Sequence, residues 1–240
     1  GFFYRIFLAQ TIGAEALGIY QLIAPVFAMC FALTASSIQT SISKFVGDAC
    51  GKNAGTSQGE ITARGYLLLG LVISCTASVI VGIFLYTQAD WIALHFLGEL
   101  RCAPLLSLLS FSMLPCCIHA CINGYYYGLQ KSKIPSIGQC IEQVVRIGSV
   151  MGIYYITIHS GLPFTKFHAM LGLLLGEIAA TFYYLNLLSL SQKQIRQKPI
   201  AQVNTTCKDL LSMACPLTAT RLLLTVLHGI ENIMIPLCLV

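Results

Sequence analysis

Six ionisable side chains lie inside long apolar segments of the sequence, and they are the residues whose chemistry stands out. They are Arg5, Glu142, Arg146, Glu177, Arg221 and Glu231. A charge in the middle of a bilayer costs about 3 kcal/mol or more, so such residues face a polar cavity, a transport pathway or one another. Because Glu142 precedes Arg146 by four positions, both lie on one helix face in the order that favours an ion pair.

Two interpretations of these residues stay open from the sequence. The pair Glu142 and Arg146 either neutralises itself and only stabilises its helix, or lines a hydrated cavity in which it can exchange partners. Glu177 is either a carboxylic acid kept neutral by burial or a site for a proton or cation. Arg221, five residues after Pro216, is either a side chain that reaches the membrane surface or part of a bent helix at a binding site.

Other groups of polar residues favour packing over catalysis. Asn123 and Gln39 are expected first of all to form hydrogen bonds between helices. Asn123 is also a candidate substrate contact. The run Cys116-Cys117-Ile118-His119-Ala120-Cys121 lacks the second ligand pair of a compact zinc site, so no metal site is expected. No grouping of a nucleophile with a base, or of paired carboxylates, indicates an active site, so the chain is not expected to be an enzyme.

The composition places these residues in a membrane protein. Of the 240 residues, 56% are apolar and only 10% are charged, whereas soluble domains have about 25% charged residues. The net charge of +5 comes from 14 basic residues spread along the chain, which excludes the basic face of a nucleic-acid binder. We therefore expect lipid as the solvent and membrane lipid as a partner.

Apolar segments predict six membrane spans and the start of a seventh, all helical. The boundaries of the seven are residues 1–10 (the end of a span), 18–43, 65–87, 103–129, 134–158, 169–190 and 210–240, the last broken by Pro216 and Pro236. Nine Lys and Arg residues fall in one set of loops and two in the alternate set. The positive-inside rule therefore places the N-terminus in the cytoplasm and the loops around Gly13, Asp90 and Gly161 outside.

Three short segments give the chain a family resemblance. They are Gly1 to Leu22, the run Ser41-Ile42-Ser43-Lys44-Phe45-Val46, and the run from Gly124 to Gln130 with the Gln139, Glu142 and Arg146 that follow. Their order and spacing resemble the stage V sporulation protein B branch of the polysaccharide exporter and flippase superfamily, which also includes lipid II flippases and multidrug and toxic compound extrusion antiporters.

The resemblance implies a two-lobed bundle of helices around a central cavity. Residues 1–200 would form the first, six-helix lobe, and residues 201–240 would begin the second lobe, which the remainder of the same polypeptide completes. Arg5 resembles the cavity arginine of lipid II flippases and would contact a diphosphate. Those flippases place an acidic residue directly after this arginine, where the present chain has Ile6.

These observations lead to one hypothesis and two alternatives. The hypothesis is a flippase in the cytoplasmic membrane of a bacterium that moves a lipid-linked sugar diphosphate, an oligosaccharide or a peptidoglycan precursor, by alternating access. Its substrate-binding residues would be Arg5, Arg146, Arg221 and Asn123. Its ion-coupling residues would be Glu142, Glu177 and Glu231, with Na⁺ or H⁺ as the coupling ion and no other cofactor. The alternatives are a cation-coupled multidrug antiporter of the same fold and a non-transporting scaffold for cell-wall or spore-coat assembly.

Overall fold

The described part of this chain consists of helices joined by short turns. The computed structural model describes the backbone of residues 22–52, 57–161, 165–193 and 207–238, together with residues 10, 18 and 19, and it describes their side chains except at 57, 58, 190–193, 207 and 228–238. These ranges contain no strand. The predicted all-α polytopic membrane bundle is therefore confirmed.

The described ranges contain seven α-helices, which we number in chain order, and one turn of 3-10 helix at Leu100–Cys102. The α-helices are α1 (Leu22–Lys52), α2 (Ser57–Thr87), α3 (Ala89–His95), α4 (Ala103–Gly128), α5 (Lys133–His159), α6 (Lys166–Lys193) and α7 (Cys207–Cys238). Of the described helices, α1, α2, α4, α6 and α7 are long and apolar enough to cross a membrane. Helix α5 is also long enough, at 27 residues, but it is less apolar because it carries charges.

Helix α4 lies at the centre of the bundle, where it packs against α1, α2 and α6. Helix α5 packs extensively on α6 and only slightly on α4, and α7 packs mainly on α1. The C-terminal ends of α1 and α4 meet, since Gly47 lies 3.7 Å from the Gly128 carbonyl when measured from an added Cβ. The basic residues Lys52 and Lys131, which end or follow these two helices, therefore lie at the same end of the bundle, as the charge pattern predicts.

Helix α1 contains one turn of π-helix at Ala32–Ser36. A π-turn leaves backbone groups without their usual partners, and here Ser74 of α2 donates a hydrogen bond to the Thr34 carbonyl at 2.6 Å. The hydroxyls of Thr34, Thr40 and Ser41 donate to carbonyls four residues earlier in the same helix. These four hydroxyl contacts need no water, whereas the buried Ser37 Oγ of the same span has no hydrogen-bond partner among the described residues.

Close helix packing uses two of the three glycine pairs that the sequence presents at a spacing of four. A Cβ at Gly124 or Gly128 would collide with the backbone of α1, and a Cβ at Gly172 or Gly176 would collide with α5. By contrast, the pair at 148 and 152 has no atom within 4 Å of an added Cβ. Glycine therefore allows close helix contact at the first two pairs and makes no such contact at the third.

One further expectation is corrected. Helix α7 continues without a break through Pro216 and Pro236, from Cys207 to Cys238, where the sequence predicted interruptions. The loop around Asp90 contains the short helix α3, which exposes 57% of Trp91. The predicted end of a span at residues 1–10 lies outside the described residues except for residue 10, and the lobe boundary at residue 200 lies outside them as well.

Candidate functional site

Arg146 on α5 is shared between two carboxylates inside the helical bundle. Its Nη2 atom donates to Glu142 Oε1 on the same helix and to Glu177 Oε1 on α6 at 3.2 Å. The three side chains are 15%, 14% and 5% exposed, respectively. The self-neutralising pair expected from the sequence is therefore present, but it is extended by a second carboxylate from the neighbouring helix.

A third helix reaches the same carboxylate from the opposite side. His119 Nδ1 on α4 lies 3.3 Å from Glu177 Oε2, and Cys116 lies one turn earlier on α4. Ligand atoms of Cys116, His119 and Glu177 all lie within 4.8 Å of one another, and all three residues are buried. Neither His119 Nδ1 nor Glu177 Oε2 has a hydrogen-bond partner in the described part of the chain. We call the five residues Cys116, His119, Glu142, Arg146 and Glu177 the charge cluster.

Helices α5 and α6 come close together at the charge cluster because α6 has a glycine, Gly176, at that point. A Cβ at Gly176 would lie 3.0 Å from the Glu142 carbonyl oxygen and 3.1 Å from the Arg146 Cβ. The hydrogen side chain at this position lets α5 approach α6 closely enough for the arginine to reach Glu177. Gly176 therefore positions the ion pair without taking part in it.

Polar side chains continue from the charge cluster along the interface of α4 and α6. Asn123 follows His119 by four positions, and Thr181 and Tyr184 follow Glu177 by four and seven, so each set lies on one face of its helix. Thr181 Oγ1 lies 2.8 Å from both the Pro115 carbonyl and the Glu177 carbonyl, and its single proton can serve one of them at a time. These residues form a polar stripe between two membrane helices.

Tyr184 and Asn123 end this stripe. The Tyr184 hydroxyl donates to the Pro135 carbonyl of α5 at 3.1 Å, and its ring centroid lies 6.1 Å from that of His119. Asn123 is 7% exposed, and its Oδ1 has no hydrogen-bond partner among the residues that the structure describes. A buried acceptor without a partner is costly, which keeps Asn123 a candidate for a ligand contact.

Arg221 lies away from the charge cluster on another part of the bundle. Its Nη2 donates to Thr40 Oγ1 of α1 at 2.9 Å, and Thr40 donates to the Ser36 carbonyl at the end of the π-turn. Arg221 therefore pairs with a polar group on α1, and the structure does not bring it to Arg146. It links the helix that begins the predicted second lobe to the first.

Two predicted site residues lie outside the description. Arg5 falls among residues that the structure does not describe, and Glu231 belongs to α7 but to the part whose side chains are not described. Their predicted roles stay predictions.

Sequence reasoning missed four members of this region. Cys116 and His119 were considered only with cysteines of their own helix, and Thr181 and Tyr184 were not considered. The available signal was the helical spacing of polar residues in two otherwise apolar spans: Ser112, Cys116, His119 and Asn123 in α4, and Glu177, Thr181 and Tyr184 in α6.

The charge cluster can do two things chemically. It holds two carboxylates against one guanidinium, so it carries one excess negative charge when the Cys116 thiol and the His119 ring are neutral. A proton or another cation would balance that charge. Neutralising Glu177 would also weaken its hold on Arg146, which would then be available to an anion.

Comparisons with known proteins agree on one family. The sequence model described as "Polysaccharide biosynthesis protein" matches residues 1–239. The chain is 28% identical over 226 residues to stage V sporulation protein B of Bacillus subtilis (strain 168), an alignment that covers 92% of the chain and 42% of that protein. The chain thus spans less than half the length of this relative. No solved structure matches the chain significantly.

Proposed function

The chain belongs to the polysaccharide biosynthesis protein family, and from that premise we propose that the whole protein is a membrane flippase that moves a lipid-linked sugar diphosphate across the cytoplasmic membrane. The observation that carries the proposal is Arg146, an arginine shared by two carboxylates inside a polytopic helical bundle. An apolar side chain would serve simple helix packing as well as this buried cation does. Packing alone therefore does not account for Arg146.

The proposed cycle exchanges the partners of Arg146. In one state the guanidinium is bound by Glu142 and Glu177, as in the structure. When a proton or Na⁺ neutralises Glu177, the guanidinium binds the diphosphate through charge-assisted, bidentate hydrogen bonds. The lipid tail stays in the bilayer while the sugar head crosses through the interior of the protein.

Other residues have proposed roles around this exchange. Asn123 would contact the substrate through its unpaired Oδ1. Arg221, held by Thr40 in the structure, and Arg5 would add positive charge around the diphosphate, and Glu231 would assist ion coupling. The proposed substrate is a lipid-linked oligosaccharide or peptidoglycan precursor. The proposed topology has the N-terminus in the cytoplasm.

The test measures translocation in proteoliposomes that contain the full-length protein and a polyprenyl-diphosphate sugar. Loss of a charge-assisted hydrogen bond costs about 1.5–3 kcal/mol, which is about 10- to 150-fold in rate if the contact forms only during transport. We expect Arg146→Ala to slow translocation by that factor. The matched control is Arg101→Ala, which removes an arginine whose side chain is 60% exposed.

The outcome against the proposal is a normal rate for a folded Arg146→Ala protein. The excess negative charge of the cluster favours a second candidate, a cation-coupled antiporter for organic cations. Uptake of a lipophilic cation dye by the same liposomes, together with no movement of the sugar lipid, would favour that candidate. Separate Na⁺ and H⁺ gradients identify the coupling ion.

A further inference from the structure

Two helices supply a set of ligand atoms on the side of Glu177 that faces away from Arg146. Cys116 and His119 project from α4, and Glu177 projects from α6. The three ligand atoms lie within 4.8 Å of one another. The sequence offered only cysteines on the same helix as partners for Cys116, and the second helix is what the structure adds.

The spacing of these atoms approaches that of a tetrahedral transition-metal site. Zinc binds imidazole nitrogen and carboxylate oxygen at about 2.0–2.2 Å and thiolate sulfur at about 2.3 Å, which sets ligand atoms about 3.3–3.6 Å apart. His119 Nδ1 and Glu177 Oε2 already lie 3.3 Å apart. The distances to the sulfur need to close by at most about 1.2 Å, which a change of side-chain torsion supplies.

His119 Nδ1 and Glu177 Oε2 lie 3.3 Å apart, but their contact lacks hydrogen-bond geometry, which leaves both atoms available to a ligand. His119 Nδ1 and Glu177 Oε2 are both buried, and no hydrogen bond to either is found in the described ranges. His119 is 8% exposed and Glu177 is 4% exposed. Buried polar atoms without partners are rare because each costs about 1–3 kcal/mol. His119 Nδ1 and Glu177 Oε2 point at one another beside the buried Cys116 thiol, and a cation bound between them would satisfy both atoms.

Charge counting leads to the same conclusion. A divalent ion bound by one thiolate and one carboxylate is neutral overall, and Arg146 with Glu142 is a neutral pair. The bound charge cluster would thus have no net charge, whereas the empty cluster has one excess negative charge. Neutrality matters here because the cluster lies within helices that cross the membrane.

We propose that Cys116, His119 and Glu177 form a binding site for a divalent transition metal, with Zn²⁺ as the expected ion, which links α4 to α6. Thiolate and imidazole select zinc over magnesium or calcium. On binding, the Cys116 S–H bond breaks, its proton leaves to water, and the sulfur binds the metal as a thiolate. The fourth coordination position is open to water.

The test titrates Co²⁺, a spectroscopic stand-in for Zn²⁺, into full-length protein that has been purified metal-free under reducing conditions. We expect one Co²⁺ per chain, visible d–d bands of a tetrahedral ion, a near-ultraviolet sulfur-to-cobalt charge-transfer band, and displacement by Zn²⁺. The Cys116→Ser protein should lose the charge-transfer band. Loss of a residue that only hydrogen-bonds a metal ligand weakens metal binding by about tenfold. His119→Gln and Glu177→Gln each remove a ligand atom, so each should weaken Co²⁺ binding by more than that.

The matched control is Cys117→Ser, because Cys117 is the next residue and is also buried, but it packs against Ala35 of α1. This variant should keep the full spectrum. Affinity should rise with pH because binding releases the thiol proton. The ionisable side chains of His119, Glu177, Glu142 and Arg146 all lie beside that thiol, so Glu142→Gln is included to separate their contributions.

Two results would overturn the metal site. One is the absence of saturable Co²⁺ binding to the wild-type protein, whose folding is not in question. The other is a charge-transfer band that survives in Cys116→Ser or disappears equally in Cys117→Ser. The titration contains no transport step, so its failure leaves the proposed flippase activity untouched, and a failed translocation assay leaves the metal site untouched.

Discussion

Removal of the Arg146 guanidinium is the sharpest test of the energetics of the charge cluster. The substitution Arg146→Met keeps an unbranched apolar stem but leaves Glu142 and Glu177, whose side chains are 14% and 5% exposed, without their cation. Loss of one partner from a buried ion pair costs about 3–5 kcal/mol. The exposed pair of Arg101 and Glu99, at 3.5 Å, is worth about 0–1 kcal/mol.

The assay is reversible unfolding of the full-length protein in mixed micelles, followed by circular dichroism as the fraction of denaturing detergent rises. We expect Arg146→Met to lower the free energy of unfolding by about 3–5 kcal/mol and Arg101→Met by less than about 1 kcal/mol. A triple variant that adds Glu142→Gln and Glu177→Gln should recover most of the loss, because no buried charge is then unpaired. A loss of under about 1 kcal/mol for Arg146→Met would refute the reasoning, since it would mean that water solvates the carboxylates.

Three further expectations concern packing, hydrogen bonding and topology. Gly138→Ala should lower the free energy of unfolding by about 1–3 kcal/mol, because its Cβ would overlap the Tyr184 ring of α6. Gly148→Ala is the control and should leave the free energy of unfolding unchanged, because Gly148 has open space around it. Thr181→Val should cost about 1 kcal/mol and Thr181→Ser should cost less, because only serine keeps the donor to the Pro115 carbonyl; equal losses would contradict the role of that donor. Ser132 and Ser160 lie at opposite ends of α5, and each can be replaced by cysteine in a cysteine-free background. An impermeant maleimide should label the cysteine at 132 from the inside of the cell and the cysteine at 160 from the outside. Labelling of both from one side would exclude α5 as a span.

The sequence predicts the helices well because lipid imposes a simple requirement on them. A backbone in hydrocarbon must satisfy its own hydrogen bonds, so length and apolarity are enough to find the spans. The prolines of α7 show the limit, because Pro216 lacks a backbone donor but does not end the helix in the structure. Local sequence predicts where a donor is lost, and packing decides whether the helix continues past it.

The candidate site was predictable only in part. The Glu142 and Arg146 pair follows from the helical repeat, because both partners lie on one element. The contacts of Glu177 with Arg146 and His119 depend on which helices are neighbours and how they are rotated, and neither property is written in a single segment. The role of Gly176 depends on the neighbouring helix in the same way. Its lack of a side chain matters only because Arg146 of α5 passes close to it.

Helix α5 carries both members of an ion pair, is less apolar than its neighbours, and packs far more on α6 than on α4. A glutamate or arginine at the centre of a helix costs about 2.5–3.5 kcal/mol when that helix enters the membrane alone. The second carboxylate that holds the arginine belongs to α6, which the ribosome makes later. We therefore expect α5 to wait in the translocation channel until α6 follows, so that the two helices enter the bilayer as one hairpin and the order of synthesis becomes part of how this bundle assembles.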